Sequence, residues 1–243
     1  MFYVFDVDMT IALSNRKISD EMADVFKRAM AGKKYFFCSG AQLPKMERQL
    51  GEEIIAGATA LFPQMGCEMW VKGDAVYKKP FVWAEGLKED VDAIIKNSPY
   101  PERNGDHLQD RGSMICISTV GKNSDQPQRD RYTAWENEHQ ERETFCKELR
   151  AKYPDYEFLV SGQTSVDVAM KGNNKALVLP SVRQYFGNEA ITFFGDKIFE
   201  GGNDLPLAKA LMAESPANVI QKVTSPDDTL EILKKMIEAE AAA

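Results

Sequence analysis

Histidine and cysteine, on which much metal and nucleophile chemistry relies, are scarce in this chain. Two histidines in 243 residues leave little from which to build a zinc site or a Ser-His-Asp triad. The four cysteines, Cys38, Cys67, Cys116 and Cys146, are scattered and form no CxxC pair. That excludes a secreted disulfide framework and points to a reducing, cytoplasmic setting. No apolar run reaches membrane length, and the first residues lack the charged-then-apolar pattern of a signal peptide. Positive charge is also in deficit, with 30 Lys and Arg against 37 Asp and Glu and a net charge of −7. Such a balance argues against nucleic acid or an anionic membrane as the partner, while leaving small anionic substrates open. Repeats and low-complexity segments are absent.

What is present reads as an alternating α/β chain, long enough for one large domain or two small ones. FYVF (2–5) begins a short buried strand. From Ser19, a plausible N-cap, Met22, Val25, Phe26 and Met30 recur at helical spacing up to Gly32. KKYFFCSG (33–40), a helix over 42–51 and ATALFP (58–63) continue the alternation, and CEMWVKGDAVYKK forms a hairpin turning at Lys72-Gly73-Asp74. This order predicts a parallel sheet with helices on its faces. After Pro80 the texture changes to an α+β insert. It has a helix over 84–97, a loop at YPERNGD, a strand at SMICISTV, one long charged helix over 127–152, and two strands about Gly162-Gln163. From Lys175 the parallel pattern resumes through ITFFGD (191–196), a helix from 203, NVIQ and a last amphipathic helix from about 227. The expected division is 1–81 with 173–243 as a core, and 82–172 as the insert.

Four places carry chemistry. In FDVDMT, Asp6 and Asp8 stand two apart at the end of an apolar strand, so both carboxylates would share a face beyond its C-terminal edge. Ligands bind at that edge in open α/β sheets. Adjacent carboxylates repel unless a cation compensates, which suits a nucleophile and an acid/base sharing a Mg²⁺ site. A bare D-x-D is common, but FYVF before it argues against a solvated surface turn. In FFGDKIFEGGND a second apolar strand ends at Asp196, with Asp204 beyond it; the same pattern also fits an acidic loop before a helix. Ser39 lies just past the second strand, where a hydroxyl can bind a phosphoryl oxygen or simply make a turn. Lys175 stands where the core resumes, as a phosphate-neutralising group or as an ordinary surface lysine.

In this order the four places resemble the motifs of the haloacid dehalogenase (HAD) superfamily of phosphoryl-transfer enzymes. FDVDxT, the SxDV segment after Gly162-Gln163, and FFGDKxxxGGND resemble more closely the eukaryotic-type phosphomannomutases. The resemblance covers essentially the whole chain and implies a HAD-like Rossmannoid core with a C2B-type α+β cap inserted in it. It implies Asp6 as nucleophile and Asp8 as acid/base. It also implies Mg²⁺ held by Asp6, the backbone carbonyl of Asp8 and Asp196, with Asp204 nearby. Ser39 and Lys175 would bind the phosphoryl oxygens. The family's three cap arginines, spaced eleven and then seven residues apart, fall here on Arg111, Lys122 and Arg129, and Ser165 and Asp167 match its sugar-contacting residues. Lysine at the middle position keeps the charge but loses the bidentate fork. The pattern departs at Met9, where the family has glycine, and at Ala41, where it has serine. It departs again at Asn15, where it has an arginine that the neighbouring Arg16 would replace. The implied activity converts mannose 6-phosphate to mannose 1-phosphate, with hexose 1,6-bisphosphate as activator, in a homodimer formed through the caps. A sugar-phosphate phosphatase on the same fold, and a non-catalytic phosphosugar-binding protein, are the alternatives.

Overall fold

The computed structural model describes residues 1–242, which divide into two compact units. Met1–Lys78 and the chain from Asn173 onward form one, and Lys79–Gly172 forms the other. The first segment runs β1 (Phe2–Phe5), α1 (Asp20–Ala29), β2 (Lys34–Cys38), α2 (Leu43–Leu50), α3 (Glu52–Gly57), β3 (Ala60–Phe62), β4 (Glu68–Val71) and β5 (Asp74–Lys78). The inserted unit contributes α4 (Leu87–Asn97), β6 (Leu108–Asp110), β7 (Ile115–Ile117), α5 (Gln126–His139), α6 (Glu141–Lys152), β8 (Tyr156–Ser161) and β9 (Ser165–Met170). The chain returns through a 3-10 turn at Lys175–Leu177, then α7 (Val178–Tyr185), β10 (Ile191–Gly195), α8 (Leu205–Glu214), β11 (Val219–Lys222) and α9 (Pro226–Ala241). Among the described residues no helix is long and apolar enough to cross a membrane.

In the first unit seven strands of the described chain pair in the order β11-β10-β1-β2-β3-β4-β5. The first five of that order run parallel, and β4 and β5 close one edge as an antiparallel hairpin. Helices cover both faces, and the period-two alternation of the strands sorts the core between them. Tyr3, Phe5, Tyr35, Phe37 and Phe194 face α1, α2 and α9, whereas Phe2, Val4, Phe36, Cys38 and Phe193 face α7 and α8. Phe5 is fully buried in the first cluster, stacked on Phe194 at 4.6 Å and edge-on to Phe26 at 5.1 Å. The predicted N-cap of α1 is in place, with Ser19 Oγ accepting the Met22 amide at 3.2 Å.

The inserted unit is an antiparallel sheet, β6-β7-β9-β8, with one apolar face. Ile115, Ile117, Phe158, Val166 and Val168 pack there against Leu87, Val91 and Ile95 of α4 and Phe145 and Leu149 of α6. Two features differ from the sequence expectation. The long helix expected over 127–152 is two helices, because Gln140 adopts a left-handed conformation (φ 49°, ψ 39°). Glu136 makes that break stable: its carboxylate accepts the amides of Glu141 at 3.0 Å and Arg142 at 3.1 Å, capping α6 from the last turn of α5. The strand expected over 113–120 pairs only at Ile115–Ile117, and its neighbour β6 falls in residues read as connection. β6 is three residues long, LQD, and carries no alternating apolar pattern.

Replacing Phe5 by alanine removes the ring that joins β1, β10 and α1. It should lower the unfolding free energy by roughly 3–5 kcal/mol, measurable as a drop in the urea midpoint.

Candidate active site

β1 ends at Phe5, and the Asp6 amide still donates to the Phe194 carbonyl at 2.9 Å. The strand alternation carries on just far enough to bury Val7 beside Phe5 and send Asp6 to the opposite side. There Lys175, fully buried, donates to Asp6 Oδ1 and, at 2.6 Å, to Asp204 Oδ1. Thr10 Oγ1 donates to Asp6 Oδ2 at 3.3 Å. The second oxygen of Asp204 accepts the Lys197 amide at 2.9 Å, fastening the loop that carries Asp196. Gly195 makes this packing possible, since a Cβ there would lie 2.8 Å from the Asp204 carboxylate.

Asp6, Asp196 and Asp204 bring carboxylate oxygens within 4.8 Å of one another. One ammonium therefore faces three acids. Burial pushes Asp6 up to about 7, with the Asp204 and Asp196 charges adding to it and Lys175 opposing it. Burial also raises Asp196, again with Asp204 as a contributor. Burial alone would lower Lys175, but the Asp204 and Asp6 charges outweigh it and hold the ammonium in its protonated form. A set of hard oxygen ligands, two buried and one half-buried, with a surplus of negative charge fits a hard divalent cation.

Asp8 is organised differently. The chain turns directly after it: Met9 takes a left-handed conformation (φ 63°), and the Val7 carbonyl accepts the amides of Ile11 and Ala12, each at 3.0 Å. Methionine thus adopts a left-handed backbone of the kind that favours glycine. Among the described residues, Asp6 and Asp8 share no hydrogen-bonding partner. The Asp8 carboxylate instead meets α2, with Lys45 Nζ at 2.8 Å from Oδ2 and Gln49 Nε2 at 2.8 Å from Oδ1. The Asn15 amide donates to Oδ1 at 3.2 Å. Burial pushes Asp8 up, but these hydrogen bonds and the Lys45 charge outweigh it and set the carboxyl below its ordinary range.

Ser39 follows β2 and is buried, its Oγ accepting the Ala41 amide at 3.1 Å. Its carbonyl accepts the amide of Met65, another left-handed residue (φ 61°), whose Sδ is 3.7 Å from Asn203 Nδ2. Arg16 is exposed, and its carbonyl accepts from Gln49 at 3.3 Å. Sequence reasoning missed Lys45, Gln49 and Met65. The signal for Gln49 was a polar residue within the apolar row Met46, Gln49, Leu50 of α2; Lys45 and Met65 had none.

In the inserted unit the sheet face opposite the apolar one is polar. Cys116 pairs with Asp167 across β7 and β9. Lys122 Nζ lies 2.7 Å from Cys116 Sγ and 3.1 Å from Ser165 Oγ. Arg111 Nη1 lies 3.5 Å from Asp167 Oδ1. Arg129 donates to the carbonyls of Ser124 at 3.0 Å and Lys122 at 3.3 Å, so it also braces the loop that carries Lys122. The structure thus gathers Arg111, Lys122, Arg129, Ser165 and Asp167 on one unit, and Asp6, Lys175, Asp196 and Asp204 on the other.

A family model described as eukaryotic phosphomannomutase matches residues 22–239. The chain belongs to that family. It is 30% identical over 244 residues to a phosphomannomutase of Schizosaccharomyces pombe, covering 96% of this chain and 93% of that one. It is 29% identical over 242 residues to a phosphomannomutase of Dendrobium officinale, with the same coverage of 96% and 93%. Among solved structures, the C-terminal domain of trehalose-6-phosphate phosphatase from C. albicans is similar with a TM-score of 0.64. The identity is 16%, over 98% of this chain and 91% of that one. The IMP-nucleotidase of Plasmodium falciparum gives a TM-score of 0.63 at 13% identity, over 98% and 68%. These solved structures bear on fold alone: the chain shares their α/β architecture.

If the three acids hold a divalent cation, adding Mg²⁺ should raise the melting temperature by several degrees. Asp196→Asn should abolish most of that rise, as thermal unfolding with and without the metal would record.

Proposed function

We propose that the protein is a Mg²⁺-dependent phosphomannomutase, acting through an aspartyl-phosphate and a hexose 1,6-bisphosphate. The observation that carries this reading is the buried Asp6–Lys175–Asp204 cluster, with Asp196 beside it, at the C-terminal ends of neighbouring parallel strands. Asp6 is the nucleophile: one carboxylate oxygen forms the new bond to phosphorus as the bond to the leaving sugar oxygen breaks. Asp8 moves the proton. It takes one from the sugar hydroxyl that attacks phospho-Asp6, and returns one to the leaving oxygen when the bisphosphate gives up its other phosphoryl group. Lys175 and Ser39 offset the negative charge on the transferring oxygens; Ser39 Oγ already accepts from Ala41 and can donate its own hydrogen. Mg²⁺, held by Asp6, Asp196 and Asp204 together with the Asp8 carbonyl, would supply further charge stabilisation to the phosphoryl group.

A mutase needs to recognise the phosphate that does not react. We assign this to Arg111, Lys122 and Arg129 of the inserted unit, with Ser165 and Asp167 left to contact sugar hydroxyls. On this reading the inserted unit is the cap.

Phosphorus NMR of the protein with Mg²⁺, mannose 6-phosphate and catalytic hexose 1,6-bisphosphate should show mannose 1-phosphate accumulating, and Asp6→Asn should abolish it. Free phosphate as the main product would instead make the protein a sugar-phosphate phosphatase. Lys122→Glu should raise KM for the phosphosugar roughly tenfold to a hundredfold, the worth of one charge-assisted hydrogen bond. The same substitution should leave KM for a small aryl phosphate nearly unchanged; equal effects on both would remove Lys122 from the distal-phosphate site.

A further inference from the structure

The geometry points to Lys45 and Gln49, one turn apart on α2, as positioning residues that leave Oδ2 of Asp8 as the proton-exchanging atom. This rests on the acid/base role proposed for Asp8. A carboxylate offers about four lone-pair sites, two on each oxygen. Both sites on Oδ1 are occupied, by Gln49 Nε2 at 2.8 Å and the Asn15 amide at 3.2 Å. Oδ2 carries Lys45 Nζ at 2.8 Å, so one site remains for a reacting oxygen, and it lies on Oδ2.

Gln49 is built for this aim. Its side chain is buried within the apolar row of α2. Its Nε2 faces two acceptors, Asp8 Oδ1 and the Arg16 carbonyl at 3.3 Å. Turning the amide over would set its oxygen against both, so the orientation is determined by the partners. Its own Oε1 is buried with no protein partner, an arrangement that lowers stability rather than raising it. The Gln49 carbonyl also accepts the Ile18 amide at 2.7 Å, tying the end of the loop that carries Asn15 and Arg16 to the same helix turn. Because α2 begins just after Ser39 and Ala41, one rigid element relates the serine hydroxyl to the acid/base carboxylate.

The test compares leaving groups. A sugar alkoxide needs a proton from Asp8 to depart, whereas 2,4-dinitrophenolate does not. Lys45→Met and Gln49→Leu should each lower kcat with mannose 6-phosphate and hexose 1,6-bisphosphate roughly tenfold to a hundredfold, with KM changed far less. The pre-steady-state burst of dinitrophenolate from dinitrophenyl phosphate, which reports attack by Asp6 alone, should fall by no more than about threefold. Lys45→Arg, which keeps a donor on Oδ2, should recover part of the lost kcat. Equal losses in burst and sugar turnover would mean a general structural defect and overturn the positioning role. An Asp8→Asn control separates the two levels. Full sugar turnover in Asp8→Asn overturns the acid/base reading and the clamp with it. A loss in Asp8→Asn that neither α2 variant shares overturns the clamp alone.

Discussion

A single ammonium group stands between two carboxylates in the interior of the first unit, and its partners come from widely separated parts of the chain. Lys175 is 169 residues from Asp6 and 29 from Asp204, and all three side chains are almost fully buried. Removing Lys175 leaves buried carboxylates facing one another without compensation in a low-dielectric setting, a far larger loss than that of a surface ion pair. β1, the 3-10 turn and the start of α8 are therefore held in one arrangement, and the loop carrying Asp196 is fastened to it through the Lys197 amide. The same cluster remains short of positive charge, because three acids face one lysine. That shortage makes it a place for a metal ion.

The sheet supplies the rigidity that such a cluster needs. Both faces of β1, β2 and β10 are packed with phenylalanine, tyrosine and aliphatic side chains, so the strand ends move little with respect to one another. Asp6, Lys175, Asp196 and Asp204 gather at the C-terminal edge, where the strands stop and backbone groups turn to capping loops. Tight loops there require unusual backbone: Met9, Asn15 and Met65 all have positive φ, and Gly195 gives Asp204 room that a side chain would fill. Left-handed methionines cost energy relative to glycine, and the surrounding hydrogen bonds hold them in place. The serine shortly precedes one short helix and the acid/base candidate is held by two side chains of that helix, so a helix packed for stability also sets the relative placement of two functional groups.

Much of this was legible in the residues themselves. Apolar strands that end in acids identified the sheet edge, because a carboxylate directly after FYVF or ITFFG has no stable place except at a strand terminus. Ser19 announced a helix start that the structure contains. The paired features FDVDxT and FFGDKxxxGGND marked family membership, which full-length relatives bear out. Where periodicity was weak the reading failed. α5 and α6 carry polar or charged residues on most positions, no glycine or proline marks the break at Gln140, and Glu136 reaching around to cap α6 is a contact invisible in one dimension. β6 is too short to show alternation.

Residue order alone determined the α/β class, the alternation of strands with helices, and the placement of acidic groups directly after apolar strands. These follow from local properties: side-chain period, turn propensity and the cost of burying a charge. Tertiary structure decided which of those groups meet. It set Asp6, Asp196 and Asp204 about Lys175, and turned Asp8 to Lys45 and Gln49. It also gave Arg129 a bracing task beside Lys122. Each of these pairings depends on where a chain turns after its strand and on which helix packs beside it. Those are properties of long-range packing, and residue spacing carries no record of them.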